Sequence, residues 1–251
     1  MATPKTPSAQ AQVTSDLALV LSTLEGNPAL GRALTDPAAP SAAKVALIER
    51  VFPDLSASTM VVLRQGMGRT WESTRALRAW IEDSRVLAAW EWAQQAGTLS
   101  KAIDEVFGFS RLVAENHEVR AALTDRRVPL SSRQDLAKTI LSDSMHDASI
   151  DIACAALGSR RGTIDAMIKA FLHMGADKAG ARLAVATVAK AMPEDQKAHM
   201  AAALGSRLGT KIIVQEIVDP TVLGGVRVEC GAEVFDSTLA SRLEAVRRDF
   251  A

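Results

Sequence analysis

The fold of this chain is decided near its carboxyl end by the stretch Val218-Asp219-Pro220-Thr221-Val222-Leu223-Gly224-Gly225-Val226-Arg227-Val228. Proline has no backbone N–H group, so Pro220 marks the end of a strand rather than its middle. The two consecutive glycines give the backbone the freedom that a sharp return into a sheet requires. Gly231 and Asp236 follow, which predicts a turn and then an acidic cap for a closing helix.

Upstream of this stretch, the apolar pattern changes after Gly180 from helical spacing to alternation. Leu183, Val185 and Thr187 share one face of a predicted strand over 182–188. Met192-Pro193-Glu194 opens a helix, and Gly209 closes it. Further strands are predicted over 211–218, 225–230 and 233–235, before a last helix with the apolar stripe Leu239, Leu243, Val246 and Phe250. These elements predict a small α+β domain over residues 181–251.

The first part of the chain contains an internal repeat at a constant offset of 89 residues (124 − 35 = 89). Asn27, Ala33, Leu34, Thr35 and Asp36 recur as Asn116, Ala122, Leu123, Thr124 and Asp125. Each copy predicts a short helix, a Thr-Asp turn and an amphipathic helix, whose apolar residues are Val45, Ile48, Val51 and Phe52 in one copy and Leu136, Ile140 and Leu141 in the other. Helices over 56–66 and 146–158 follow. The fixed offset favours a duplicated helical module over chance similarity between two Ala-rich helices.

All four tryptophans lie between residues 71 and 96, at Trp71, Trp80, Trp90 and Trp92. This stretch has no proline, which predicts one long helix or two joined helices connecting the two copies. Packing in the core is the favoured role for the tryptophans, and an exposed aromatic binding face is the alternative.

These patterns predict a mainly α protein with a small C-terminal α+β domain. Residues 1–15 form a mobile tail, 16–87 an extra helical repeat module, 88–180 a helical bundle and 181–251 the α+β domain.

Composition excludes several classes of function. Lys+Arg and Asp+Glu both number 29, and this neutral balance disfavours a general nucleic-acid binder. Cys154 and Cys230 form no CxxC pair, which favours a reduced cytoplasmic setting. The four histidines are scattered, no GxxxxGK[ST] phosphate loop occurs, and no apolar run reaches about 20 residues. We therefore predict no catalytic, cofactor-binding or metal-binding residues.

The stretch around Asp219, and the order of the elements before it, resemble the delta subunit of F-type ATP synthase, the family of the oligomycin-sensitivity-conferring protein. The family signature falls on Asp219, Pro220, Leu223, Gly224, Gly225, Arg227, Gly231 and Asp236. Residues 160–163 are similar to the family's Arg-containing step before the last helix of its bundle. The chain departs from the family at Ala232 and Ser237, where Asp and Gly are usual. The extra N-terminal copy resembles the longer delta subunits of high-GC Gram-positive bacteria.

This resemblance implies a non-catalytic peripheral-stalk subunit of a proton-translocating synthase, with no cofactor. The helical bundle would hold the N-terminal helices of alpha subunits in an apolar groove near Trp90 and Ile152. The C-terminal domain would bind the C-terminal end of the b subunit, so the chain would resist rotor torque. It would meet the membrane only through partners, at the cytoplasmic face of the plasma membrane. An RNA-binding or transcription-regulator-binding helical module is the alternative.

Overall fold

The computed structural model describes residues 8–222 and 224–237 of the chain. The described residues contain eleven helices: α1 Ala9–Gly26, α2 Pro28–Thr35, α3 Ser41–Val51, α4 Ala57–Met67, α5 Thr74–Gln95, α6 Leu99–Glu115, α7 His117–Thr124, α8 Leu130–Leu141, α9 Asp147–Gly158, α10 Ile164–Lys178 and α11 Glu194–Leu208. They also contain four strands: β1 Ala181–Val188, β2 Lys211–Val218, β3 Val226–Cys230 and β4 Glu233–Asp236. The chain divides into a helical unit up to Phe171 and a C-terminal unit from Leu172. This bears out a mainly α protein with a small α+β domain.

The predicted repeat extends over five helices in each copy, α1–α5 and α6–α10. Helix α7 repeats α2 at both ends with an offset of 89 (117 − 28 = 89), and α8 begins 89 residues after α3. Helices α9 and α10 begin 90 residues after α4 and α5, because α8, with 12 residues, is one residue longer than α3, with 11. The duplication therefore covers the whole helical unit rather than the thirty positions seen in the sequence.

A buried carboxylate repeats with the helices. Asp16 of α1 accepts hydrogen bonds from the backbone N–H of Ser56 (2.9 Å) and the hydroxyl of Thr59 (2.7 Å), at the start of α4. Glu105 of α6, 89 residues later, accepts the equivalent bonds from the N–H of His146 (2.9 Å) and the hydroxyl of Ser149 (2.6 Å), at the start of α9. We call these two sites the carboxylate clamps.

Each clamp lowers the pKa of its carboxylate. Burial alone raises the pKa of Asp16, but the bonds from Ser56, Thr59 and Gln12 outweigh it and hold the pKa below 3.8. Burial likewise raises the pKa of Glu105, and the bonds from Ser149 and His146 reverse the shift, to below 4.5. The clamps therefore tie the first and fourth helices of each copy through an ionised group, which also satisfies a free helix N-terminus.

Helix α5 is the fifth helix of the first copy, and it also packs against α9 of the second. The boundary predicted between residues 87 and 88 therefore lies inside one continuous helix. Leu77 and Ile81 of α5 join the core of the first copy, together with Leu17 of α1. Trp90 of α5 is fully buried and donates its indole N–H to the carbonyl oxygen of Phe171 (3.0 Å), in the second copy. The boundary predicted at 180 and 181 also differs, because the two units divide within α10.

Two further predictions need correction. The expected mobile tail over 1–15 is helical from Ala9, because Ser8 caps the helix and Val13 is buried in the core; residues 1–7 lie outside the described residues. Val51, Leu136 and Ile140 were expected on buried stripes but are 39–40% exposed. Helices α3 and α8 bury a narrower stripe than predicted, which includes Ile48 in α3 and Leu141 in α8.

The C-terminal unit contains a mixed sheet with the strand order β2-β1-β3-β4. Strands β1 and β2 are parallel, and α11 connects them, whereas β1–β3 and β3–β4 are antiparallel. The alternation predicted for β1 is present, but its more buried face carries Ala184, Ala186 and Val188 rather than Leu183, Val185 and Thr187. Gly209 ends α11 in the left-handed conformation, as predicted. The predicted last helix over 239–250 lies outside the described residues.

Candidate functional site

The helical unit contains a cleft of about 1090 Å³ between α1, α5, α8 and α9. The α1 wall is formed mostly by small side chains, those of Ala11, Ser15, Ala18 and Ser22, which recur at helical spacing. Larger apolar side chains come from the other walls, including Trp92, Leu130 and Ile150. An α-helix about 10 Å wide occupies about 120 Å³ per residue, so the cleft holds about nine residues of helix.

Six basic and four acidic side chains line this cleft, and most of the acidic ones are already paired. The buried Arg85 binds Asp151 through two hydrogen bonds, of 3.1 Å from Nε and 2.5 Å from Nη2. Burial opposes the charge of Arg85, but the Asp151 carboxylate outweighs it and raises the pKa of the guanidinium. Arg85 and Asp151 both stay charged, because the hydrogen bonds between them replace those that each side chain loses to water on burial. The lining side chains alone carry a formal net charge of +2 (6 − 4 = 2), but Lys138 and Arg161 also pair with Asp135 and Asp83, which lie outside the lining.

The loop between α9 and α10 joins the second copy to the first through arginines that the sequence singled out. Arg161 binds Glu82 (3.0 Å) and Asp83 (2.6 Å) of α5, both through Nη2. Burial disfavours its charge, but these carboxylates raise its pKa. Arg160 pairs with Glu25 of α1. Arg160 and Arg161 therefore hold the two copies together in this chain.

Cys154 lies in the wall of the cleft as an unreactive thiol. It is buried, and it forms no disulfide. Burial, reinforced by the nearby Asp151 carboxylate, raises its pKa to about 11. A thiol with this pKa carries almost no thiolate at neutral pH, so it acts as a small apolar residue here.

The structure places the two predicted groove residues, Trp90 and Ile152, inside the protein. Both are 0% exposed, so neither side chain can contact a partner. Their neighbours Trp92 and Ile150 line the cleft instead. The helices were predicted correctly, but which face of each turns outward depends on packing against neighbouring helices, and residues 9–15 of α1 were predicted as part of a tail.

The described signature residues lie in the turns and in strands β3 and β4 of the C-terminal unit. Asp219 accepts hydrogen bonds from the N–H (2.9 Å) and hydroxyl (2.7 Å) of Thr221 and so shapes the turn at Pro220. Gly224, Gly225 and Gly231 have positive φ angles, of 70°, 81° and 63°. Arg227 lies in β3, Asp236 ends β4, and Leu223 lies outside the described residues. These residues set the path of the backbone, and those that the structure describes form no cluster of reactive side chains.

The described part of the chain has neither a metal-binding cluster nor a membrane-spanning helix. Over 8–222 and 224–237, no group of three or more His, Cys, Asp or Glu side chains is close enough to hold a metal ion. In the same residues, no helix combines the length and the apolar character that crossing a bilayer requires.

A helical unit with a cleft, followed by a small α+β unit, defines a two-unit, mainly helical protein. Comparison with known proteins gives its family. A family model described as ATP synthase delta (OSCP) subunit matches residues 86–250. ATP synthase subunit delta of Streptomyces avermitilis is 34% identical over 96% of this chain and 89% of its own length. The same subunit of Parafrankia sp. strain EAN1pec is 33% identical over 94% of this chain and 86% of its own length.

Among solved structures, a chain of the cryo-EM structure of the Toxoplasma gondii mitochondrial ATP synthase hexamer shares 15% identity with this chain. Its TM-score is 0.41, over 67% of this chain and 96% of that chain. That likeness is too low to support a conclusion.

The chain belongs to the ATP synthase delta (OSCP) subunit family. It is a non-catalytic peripheral-stalk subunit of the synthase, a membrane-associated complex, and the alternative of an RNA-binding module is not supported. Matches that cover 94–96% of the chain must include most of its first 85 residues, which the family model leaves out. The extra copy is therefore shared with long delta subunits of actinobacteria, as the sequence predicted.

Proposed function

We propose that the cleft between α1, α5, α8 and α9 holds the N-terminal helix of an alpha subunit of the catalytic head. The single observation that carries the proposal is the cleft itself, which has room for about nine residues of helix. Its small-residue wall on α1 allows close approach of another helix, and its apolar walls bury one face of that helix.

The C-terminal unit, in this proposal, binds the C-terminal end of the b subunit at the cytoplasmic face of the plasma membrane. The chain then links the head to the stalk and resists rotor torque. The ion pairs of Arg161, Arg85 and Arg160 support this role, because they join the two copies of the helical unit. A connector under torque requires such cross-links between its parts. The extra copy, α1–α5, contributes the α1 wall of the cleft in this assignment.

A matched pair of substitutions on α1 tests the cleft assignment. Ala18 lines the cleft, whereas the adjacent Leu19 is exposed outside it. We expect Ala18→Trp to fill the cleft and weaken binding of a labelled peptide from the N-terminus of alpha at least tenfold, measured by fluorescence anisotropy. Leu19→Trp adds the same ring outside the cleft and should leave the affinity within twofold. Both variants should bind normally a peptide from the C-terminal end of the b subunit. Equal affinities of the two variants for the alpha peptide would refute the assignment.

A further inference from the structure

A further pocket of the helical unit lies between the turn before α8 and the loop that joins α9 to α10. It measures about 570 Å³, and one carboxylate, that of Glu25, lines it. Four arginines also line it, which we call the pocket arginines: Arg120, Arg126, Arg133 and Arg160. The pocket shares Glu25 and Arg160 with the cleft, whereas the other three pocket arginines do not line the cleft. It is therefore a distinct basic pocket beside the cleft.

Two of the pocket arginines are already paired with carboxylates. Arg120 binds Asp165 through Nη1 (2.8 Å) and Nη2 (2.7 Å). Arg160 pairs with Glu25, whose carboxylate also binds Arg78 (3.4 Å). These pairs build the wall of the pocket, and they leave little charge for a ligand.

Arg133 is held in place by neutral groups instead. Its Nε donates to the carbonyl oxygen of Val128 (3.2 Å), and its Nη1 donates to that of Leu123 (3.1 Å). These bonds fix the guanidinium without neutralising its charge, and the described residues leave its Nη2 without an acceptor. The nearby Asp125 carboxylate binds Arg127, at 3.0 Å from Nε and 2.8 Å from Nη2. Arg133 is thus a cation that is oriented but not paired.

The charges in and around the pocket do not balance. Arg126 is exposed and forms no hydrogen bond or ion pair with any described residue. The pocket arginines and Arg127 carry five positive charges, and three carboxylates bind members of this set: Glu25, Asp165 and Asp125. The net charge is therefore +2 (5 − 3 = 2). Helix α8 begins beside the pocket without a side-chain cap, so the positive end of its dipole adds to the surplus.

The first copy of the module has no such pocket arginines. Three of the four align, at offsets of 89 or 90, with residues that are not basic: Gly31, Pro37 and Thr70. The fourth, Arg133, aligns with Lys44, which is buried. The space is also closed there, because a Cβ on Gly31 would lie 2.5 Å from Cγ2 of Thr74. The helical module therefore folds without this charge, and packing does not explain the surplus in the second copy.

We propose that this pocket binds a phosphate group, free or as the ester of a small molecule, through Arg126 and Nη2 of Arg133. The net charge of +2 matches the charge of about −1.5 to −2 that a phosphate ester carries at pH 7. The planar guanidinium presents paired N–H groups to two phosphate oxygens. The volume of about 570 Å³ exceeds that of a phosphate group, and Val128 and Leu157 offer apolar surface to the rest of an ester. The inference does not depend on the function proposed above.

Three substitutions in the full chain test the site by calorimetric titration with inorganic phosphate at constant ionic strength. Arg126→Gln removes an unpaired charge of the pocket and should weaken binding at least fivefold. Arg50→Gln removes an exposed charge of α3 that does not line the pocket, and it should leave the affinity within twofold. Asp125→Asn removes a competing carboxylate and should tighten binding at least twofold. Both arginines are exposed and unpaired, so R126Q and R50Q should unfold at the wild-type urea midpoint.

Ribose 5-phosphate in the same titration distinguishes the two sources of the phosphate group. Tighter binding than that of inorganic phosphate would identify an ester as the ligand, and equal or weaker binding would identify free phosphate; either result, lost in R126Q, supports the site. No binding of either probe, equal weakening in R126Q and R50Q, or weaker binding in D125N would overturn the proposal. A polyglutamate peptide that binds while both phosphates fail would also overturn it, and would indicate an acidic segment of a partner as the occupant.

Discussion

Removing either carboxylate clamp should destabilise the helical unit by about the same amount, because the two clamps make equivalent bonds. In Asp16→Ala, the Ser56 N–H loses its acceptor, and the Thr59 hydroxyl keeps only its contact with Ser56 Oγ (2.8 Å). Hydrogen bonds to charged groups contribute about 1.5–3 kcal/mol each, and an unsatisfied buried donor costs about 1–3 kcal/mol. We therefore expect a loss of about 3 kcal/mol, and the same for Glu105→Ala.

Urea unfolding followed by tryptophan fluorescence measures this loss. All four tryptophans lie in the helical unit, so the signal reports on that unit alone. With an m-value of about 2 kcal/mol/M, a loss of about 3 kcal/mol lowers the midpoint by about 1.5 M. Glu49→Gln is the control, because Glu49 forms only an exposed pair with Arg64, and it should change stability by less than about 0.5 kcal/mol.

The pH dependence of the free energy of unfolding separates the contribution of the carboxylate's charge from that of its packing. Both carboxylates have a lower pKa in the folded than in the unfolded chain, so their ionised forms stabilise the folded state. That contribution is complete above the ordinary values of 3.8 for Asp16 and 4.5 for Glu105, and it is lost as the pH falls through the lower folded values. Asp16→Asn resembles the protonated acid. Its deficit against wild type should therefore shrink between pH 5 and about pH 2. A deficit that stays constant with pH, or a loss below about 0.5 kcal/mol at pH 7, would refute the reasoning.

Two further predictions concern packing and reactivity. Gly66→Ala places a methyl group 2.3 Å from the Trp80 ring and should lower the free energy of unfolding by about 1–3 kcal/mol, measured by urea unfolding. Gly108→Ala meets nothing within 4 Å and should instead stabilise α6 by about 0.5–1 kcal/mol. Equal effects of the two substitutions would contradict the packing of Gly66 against Trp80. Cys154, with its pKa of about 11, should react with Ellman's reagent at pH 8 only after unfolding, and rapid labelling of the native chain at this residue would contradict its burial.

The sequence predicted elements far better than it predicted exposure. Strand β2 and the ends of α7 were predictable from the sequence, because proline, glycine and Thr-Asp turns act locally on the backbone. The repeat was readable because an offset of 89 needs no three-dimensional information. The outward turn of Ile140 was not predictable, because it depends on which helix packs against that face. Trp90 is buried, as core packing of the tryptophans predicted, so the groove expected near it lies elsewhere. The cleft escaped prediction for the same reason: its α1 wall begins in a segment rich in Ala and Gln, whose composition resembles that of a tail.

Comparison of α4 with α9 shows how duplication led to two different surfaces. The fourth helices align at an offset of 90, which pairs Thr59 with Ser149 and Leu63 with Ala153, all fully or almost fully buried within their own copies. The faces of α4 and α9 that lie opposite these buried residues have diverged. Arg64 of α4, for example, occupies the position that Cys154 holds in α9.

That divergence follows what covers each helix. Helix α5 packs against α9, so this face of α9 consists of small apolar residues and the Asp151 that pairs with Arg85. The aligned face of α4 is exposed, and Val61, aligned with Asp151, is 55% exposed. A charge on α9 is stable there only because α5 supplies its partner, whereas polar residues on α4 need only water. The duplication thus preserved the internal contacts of each copy. The cleft forms beside α9 and not beside α4, because α5 packs more extensively against α9.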